Sequence, residues 1–90
     1  MPAQKPLSAC FIGLGYIGLP TATIVAQTGI QVNGIDINPQ IVNTINRGEI
    51  HFMEPGLGDL VRDVVGNGKL KAFTSPIESD VYLIVVPTPF

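Results

Sequence analysis

Ninety residues, 46% of them hydrophobic and 13% charged, are enough for one small domain with its own core and rule out a disordered chain. A formal net charge of −2, with five Lys and Arg spread along the sequence, excludes the basic patch of a nucleic-acid surface. Cys10 is the single cysteine, so no intramolecular disulfide can form, and no apolar run approaches the roughly 18 residues of a membrane span.

Residues 1–7 read as a disordered lead-in. They do not make a targeting segment, because glycines interrupt the first apolar run and only Lys5 supplies positive charge before it. A cytoplasmic location is therefore expected. Ser8 to Leu14 carries Ala9-Cys10-Phe11-Ile12, which lacks the polar alternation of a half-exposed strand. It predicts a strand buried on both faces. Ile17 to Thr28 predicts a helix that packs through Leu19, Ile24 and Val25, with Pro20 in the first turn and Gly29 as its C-terminal cap.

A second strand is predicted over Gln31–Ile35, closed by Asp36. Asn38-Pro39 is a helix start, with Asn as N-cap and Pro at the first helical position. Ile41, Val42 and Ile45 form that helix's apolar face, and Gly48 ends it. Residues 49–54 are a connector. Pro55 opens a third helix whose face is Leu57, Leu60, Val61, Val64 and Val65, the i, i+3, i+4, i+7, i+8 pattern. Gly66-Asn67-Gly68 breaks it. Lys69 to Thr74 predicts a third strand, and its two lysines predict a sheet edge. Ser75-Pro76 predicts one helical turn. Val81 to Val86 predicts the fourth and most apolar strand.

Strands joined by helical crossovers imply an α/β fold, a parallel sheet with helices on both faces. With the first and fourth strands central and the third at an edge, the expected order is 3-2-1-4, a Rossmann-type sheet over residues 8–90. A fourth strand this apolar is not expected at an exposed edge. The chain is therefore expected to be truncated there, part of a longer protein that adds further strands.

Gly13, Gly15 and Gly18 follow the first strand and open the first helix. Such a pattern also occurs in plain turns; the strand and helix around it give it meaning. Gly13 permits a tight turn, Gly15 lets a pyrophosphate approach the backbone, and Gly18 lets helix and strand pack closely. The helix N-terminus then offers N–H groups and partial positive charge to phosphates. Asp36 ends the second strand 18 residues after Gly18, where a carboxylate accepts from adenosine ribose hydroxyls and repels a 2′-phosphate. That favours NAD over NADP. Its bland alternative is a helix cap, for which Asn38 is better placed.

Thr88, in Val86-Pro87-Thr88-Pro89, follows the fourth strand on the side where ligands bind in open α/β sheets. Spacing alone leaves open whether it touches a cofactor or sits in a proline-rich turn. Tyr16 likewise could cover a cofactor or pack on the protein. His51 has no neighbours at metal-ligand spacing, so no metal site is expected. Glu54 and Asp59 flank a helix start, where acidic groups suit the helix dipole. Cys10 reads as a core residue, since nothing nearby would lower its pKa.

Phe11-Ile12-Gly13-Leu14-Gly15-Tyr16-Ile17-Gly18-Leu19-Pro20 resembles the opening of the UDP-glucose/GDP-mannose dehydrogenase family, and Gly34-Ile35-Asp36-Ile37-Asn38 and Val86-Pro87-Thr88-Pro89 match its next two cofactor motifs. Val42-Asn43-Thr44-Ile45-Asn46-Arg47-Gly48-Glu49-Ile50-His51, followed by Glu54-Pro55, is similar to the branch of that family acting on UDP-N-acetyl-D-mannosamine. The resemblance implies an NAD-dependent oxidation of a nucleotide sugar's C6 alcohol to a carboxylate, consuming two NAD, for surface polysaccharide synthesis. It implies NAD contacts at Tyr16, Ile17, Asp36 and Thr88, a sugar partner bound by downstream domains, and a homo-oligomer. The family's catalytic cysteine forms a thiohemiacetal and then a thioester; it has no counterpart here, and Cys10 does not match it. Competing readings are a non-catalytic nucleotide-sensing module, another β-hydroxyacid-type dehydrogenase, and UDP-glucose or GDP-mannose as substrate. The Asn46-Arg47-Gly48-Glu49 and Val86-Pro87-Thr88-Pro89 segments favour the first reading over the sensor.

Overall fold

In the computed structural model, which describes residues 7–85, the chain runs β1 (Ser8–Ile12), α1 (Gly18–Gln27), β2 (Gln31–Ile35), α2 (Pro39–Asn46), α3 (Leu57–Gly66), β3 (Leu70–Phe73) and β4 (Val81–Ile84). All strand pairs are parallel and the order is β3-β2-β1-β4, the expected Rossmann-type order.

Register decides which side chains share a face. Ala9 lies beside Val32 and Val81, and Phe11 beside Gly34 and Leu83; Val32 lies beside Leu70, and Gly34 beside Ala72. This row packs against Leu19, Ala22 and Ala26 of α1, Val42 and Ile45 of α2, and Leu57, Val61 and Val64 of α3. All three helices therefore cover one face. α1 approaches through Leu19, Ala22, Thr23 and Ala26, the i, i+3, i+4, i+7 positions, and three of these are small. Ile24 is exposed rather than packed, because it lies one residue round from that stripe.

The helices expected on both faces are absent from the second face among the described residues. That face carries Cys10, Asn33 and Ile35, and segment 74–80, which forms no helix or strand, meets it at Ser79. Asn33 Nδ2 donates to Ser79 Oγ at 3.1 Å. The helical turn expected at Ser75-Pro76 does not form. The Ser79 amide donates to the Tyr82 hydroxyl at 2.9 Å and the Asp80 amide to the Ser8 carbonyl at 3.1 Å, so neither serves a helix. Pro76 has no amide hydrogen to add.

β4 pairs with β1 and ends the sheet among the described residues, as the expected order 3-2-1-4 cut off after the fourth strand has it. Val81, Tyr82 and Ile84 are exposed there. β3 is the other edge, as its lysines predict. Asn46 closes that edge, because its side chain donates to the Ala72 carbonyl at 2.9 Å and accepts from the Ala72 amide at 2.8 Å.

The helix ends follow the sequence signals. Asn38 accepts from the Gln40 amide at 2.9 Å, and Pro39 is the first helical residue of α2. Gly48 has φ +78°; its amide reaches the Ile45 carbonyl and the Glu49 amide reaches that of Thr44. These are the paired bonds of a Schellman end.

Candidate cofactor site

β1 ends at Ile12, and the chain turns at Gly13 with φ +107°, a conformation side chains disfavour. The Gly13 amide donates to the Ile35 carbonyl at 2.8 Å and the Val85 amide to the Ile12 carbonyl at 2.7 Å, which joins the loop to β2 and to the end of β4. Leu14 is fully buried over Gly34; a Cβ at Gly34 would meet Leu14 Cδ2 at 2.9 Å. A Cβ at Gly18 would lie 1.9 Å from the Gly13 carbonyl oxygen. The loop thus packs against its own helix, and Gly18 permits that contact.

Gly15 differs. A Cβ there would meet nothing within 4 Å, so no packing demands the glycine. Among the described residues, the amides of Gly15, Tyr16, Ile17 and Gly18 donate to no protein acceptor, and Ile17 makes no side-chain cap. These donors form the entry of α1, where the helix dipole adds partial positive charge.

Asp36 stands across from them, half-buried. Its Oδ2 accepts from the Leu14 amide at 3.3 Å and its Oδ1 from the Asn38 amide at 3.0 Å. A carboxylate has about four acceptor sites, so about two remain for a ligand. The N-cap of α2 is Asn38 rather than Asp36.

Ile12, Gly13, Leu14, Gly15, Ile35, Asp36, Ile37 and Val85 line a groove of about 290 Å³. It opens beyond the carboxyl ends of β1, β2 and β4, where the strand order reverses, the place open α/β sheets bind ligands. Of the residues singled out in the sequence, it brings together Gly13, Gly15 and Asp36. Tyr16 and Ile17 stand at the helix entry, 77% and 71% exposed, and do not line the groove. The Tyr16 ring packs on Phe52, with centroids 4.8 Å apart. Thr88 lies outside the described residues.

A larger hollow, about 570 Å³, lies between the connector and α3, but Glu54 and Asp59 line it and would repel phosphates. His51 packs edge-on to Phe52, and its buried Nδ1 has no hydrogen-bond partner among the described residues. No group of three metal-ligating side chains occurs among the described residues, and none of the helices described is long and apolar enough to cross a membrane. Cys10 is fully buried, out of reach of a substrate. Sequence reasoning missed Ile37 and Val85 as groove walls and Phe52 as the partner of Tyr16.

Residues 7–90 match the UDP-glucose/GDP-mannose dehydrogenase family, NAD binding domain. The chain belongs to this family as its NAD-binding domain. It is 60% identical over 81 residues to the UDP-N-acetyl-D-mannosamine dehydrogenase of Campylobacter jejuni, covering 90% of this chain and 20% of that one. It is 56% identical over 79 residues to an NDP-N-acetyl-D-galactosaminuronic acid dehydrogenase of Ralstonia nicotianae, covering 88% and 19%. The native structure of the UDP-N-acetyl-mannosamine dehydrogenase of Staphylococcus aureus superimposes with a TM-score of 0.88 at 46% identity, covering 91% and 20%. The chain thus spans about a fifth of the length of these relatives. NAD is the cofactor of the family domain, and the residues present fit it. The space over Gly15 suits a pyrophosphate, the amides around it are unspent, and the Asp36 carboxylate has acceptor capacity left.

Proposed function

We propose that the glycine loop holds the NAD pyrophosphate and that Asp36 holds the adenosine ribose. The observation that carries this is one groove lined by both Gly15, the first of four successive unspent amides at the helix entry, and Asp36, a half-used carboxylate. In this reading the amides donate to the pyrophosphate oxygens. Asp36 accepts from the ribose hydroxyls and repels the extra phosphate of NADP. Gly13 and Gly18 shape the turn, Tyr16 and Ile17 flank the cofactor at the helix entry, and Thr88 meets it beyond β4. When bound, NAD supplies the hydride acceptor. The residues named here bind and orient it.

We further propose that the protein carrying this domain oxidises the C6 alcohol of UDP-N-acetyl-D-mannosamine to the carboxylate with two NAD, in the cytoplasm, for surface polysaccharide synthesis. The names of the relatives from Campylobacter jejuni and Staphylococcus aureus support that sugar. Catalytic groups are assigned to parts of such a protein beyond this domain, which Cys10 cannot replace. NADH release from UDP-N-acetyl-D-mannosamine, compared with UDP-N-acetyl-D-galactosamine, UDP-glucose and GDP-mannose, tests the sugar assignment. Equal turnover of all four would refute it.

Asp36→Ala tests the cofactor site. The loss of hydrogen bonds to a charged group should weaken NAD by about 1.5–3 kcal/mol, roughly ten- to a hundredfold in Kd. Unchanged affinity by calorimetry would sink the ribose assignment.

A further inference from the structure

The connector 49–56 has no part in the groove, yet one of its side chains reaches the glycine loop. Phe52 meets the Tyr16 ring at a centroid distance of 4.8 Å and a tilt of 53°, a distance at which aromatic pairs interact. Resting on the cofactor reading above, we propose that Phe52 is a positioning residue of the NAD site, holding Tyr16 in place at the entry of α1.

The direction of this effect follows from what anchors each ring. Phe52 is half-buried, and with Ile50 it packs against the helix-side core. The connector is tied at both ends, by the Glu49 amide on the Thr44 carbonyl and by the Leu57 amide on the Glu54 carbonyl. The His51 ring stands edge-on to Phe52 at 4.8 Å and 87°. Phe52 therefore has supports that do not involve Tyr16. Tyr16 is 77% exposed, and Phe52 is the one ring stacked on it among the described residues.

An exposed tyrosine at a helix entry samples several rotamers, and a ligand that needs one of them must order the ring on binding. Docking on Phe52 orders it beforehand. The backbone amide of Tyr16 is one of the unspent donors of the loop, so a fixed ring also steadies a donor. The connector thereby gains a role: it buttresses the phosphate-binding turn from outside the sheet.

The test is a double-mutant cycle on the full chain, with NAD Kd from calorimetry as readout. Phe52→Ala and Tyr16→Ala should each weaken NAD about three- to tenfold, a range set by aromatic pairing and side-chain ordering. The double variant should lose no more than the worse single one. Phe52→Leu, which keeps most of the core packing, should lose affinity as Phe52→Ala does, and Phe52→Tyr should restore it. Val64→Ala, a core change away from the loop, should lower the melting temperature and leave Kd unchanged. Wild-type affinity in Phe52→Ala and Phe52→Leu would overturn the proposal, as would full additivity of the Phe52 and Tyr16 effects. Asp36→Ala is the reference. If it weakens NAD while the Phe52 variants do not, the positioning role alone fails; if none weakens NAD, the site itself is wrong.

Discussion

Gly18→Ala and Gly15→Ala should fail in different ways, because packing demands the first glycine and the second faces open space. A Cβ at Gly18 would sit 1.9 Å from the Gly13 carbonyl oxygen and 2.9 Å from its carbon. Both are backbone atoms, so no side chain can swing aside. Overpacking costs about 1–3 kcal/mol, and a backbone clash belongs at the upper end. Alanine's better helix propensity returns about 1 kcal/mol at most. The net loss is about 2 kcal/mol, which lowers the melting temperature of a domain this size by roughly 10 °C. Gly15→Ala meets nothing within 4 Å, and Gly15 has no positive φ. Its stability should stay within about 0.5 kcal/mol of the parent. Its NAD affinity should fall about tenfold or more, because the methyl group occupies the space through which a pyrophosphate reaches the amides. Calorimetric scanning with and without NAD measures both quantities. A Gly15→Ala chain destabilised as much as Gly18→Ala, or one that binds NAD like the parent, would refute the division of labour.

Two further outcomes concern the sheet edges. Asn46→Ala removes both bonds to Ala72 and should cost about 1–2 kcal/mol in urea unfolding without changing the denaturant slope; an unchanged midpoint would show that water replaces the side chain fully. The exposed apolar side chains of β4 should drive concentration-dependent association, relieved by Ile84→Lys, and sedimentation that stays monomeric for the parent chain would contradict this.

Local signals in the sequence proved legible. The turn at Gly13, the contact at Gly18 and the caps at Asn38 and Gly48 each depend on residues within a few positions of one another. Asp36 was legible because a strand end places its residue at the groove whatever the rest of the fold does. Lys71 in β3 and Lys69 just before it announced the edge for a similar reason: a charged strand is poorly suited to a central place.

The misreadings share the opposite property. Segment 74–80 has a helix-start signal at Ser75-Pro76, but its amide donors find Tyr82 and Ser8, the latter about seventy residues away in sequence. Tertiary partners outbid a single helical turn, which closes few bonds of its own. Tyr16 and Phe52 are the same kind of case. Nothing in either local sequence links the loop to the connector; the link arises because α1 and α3 pack on one face of the sheet and bring the loop and the segment before α3 together. The groove's outline was therefore readable from short-range pattern, while the support behind it depends on which helices share a face.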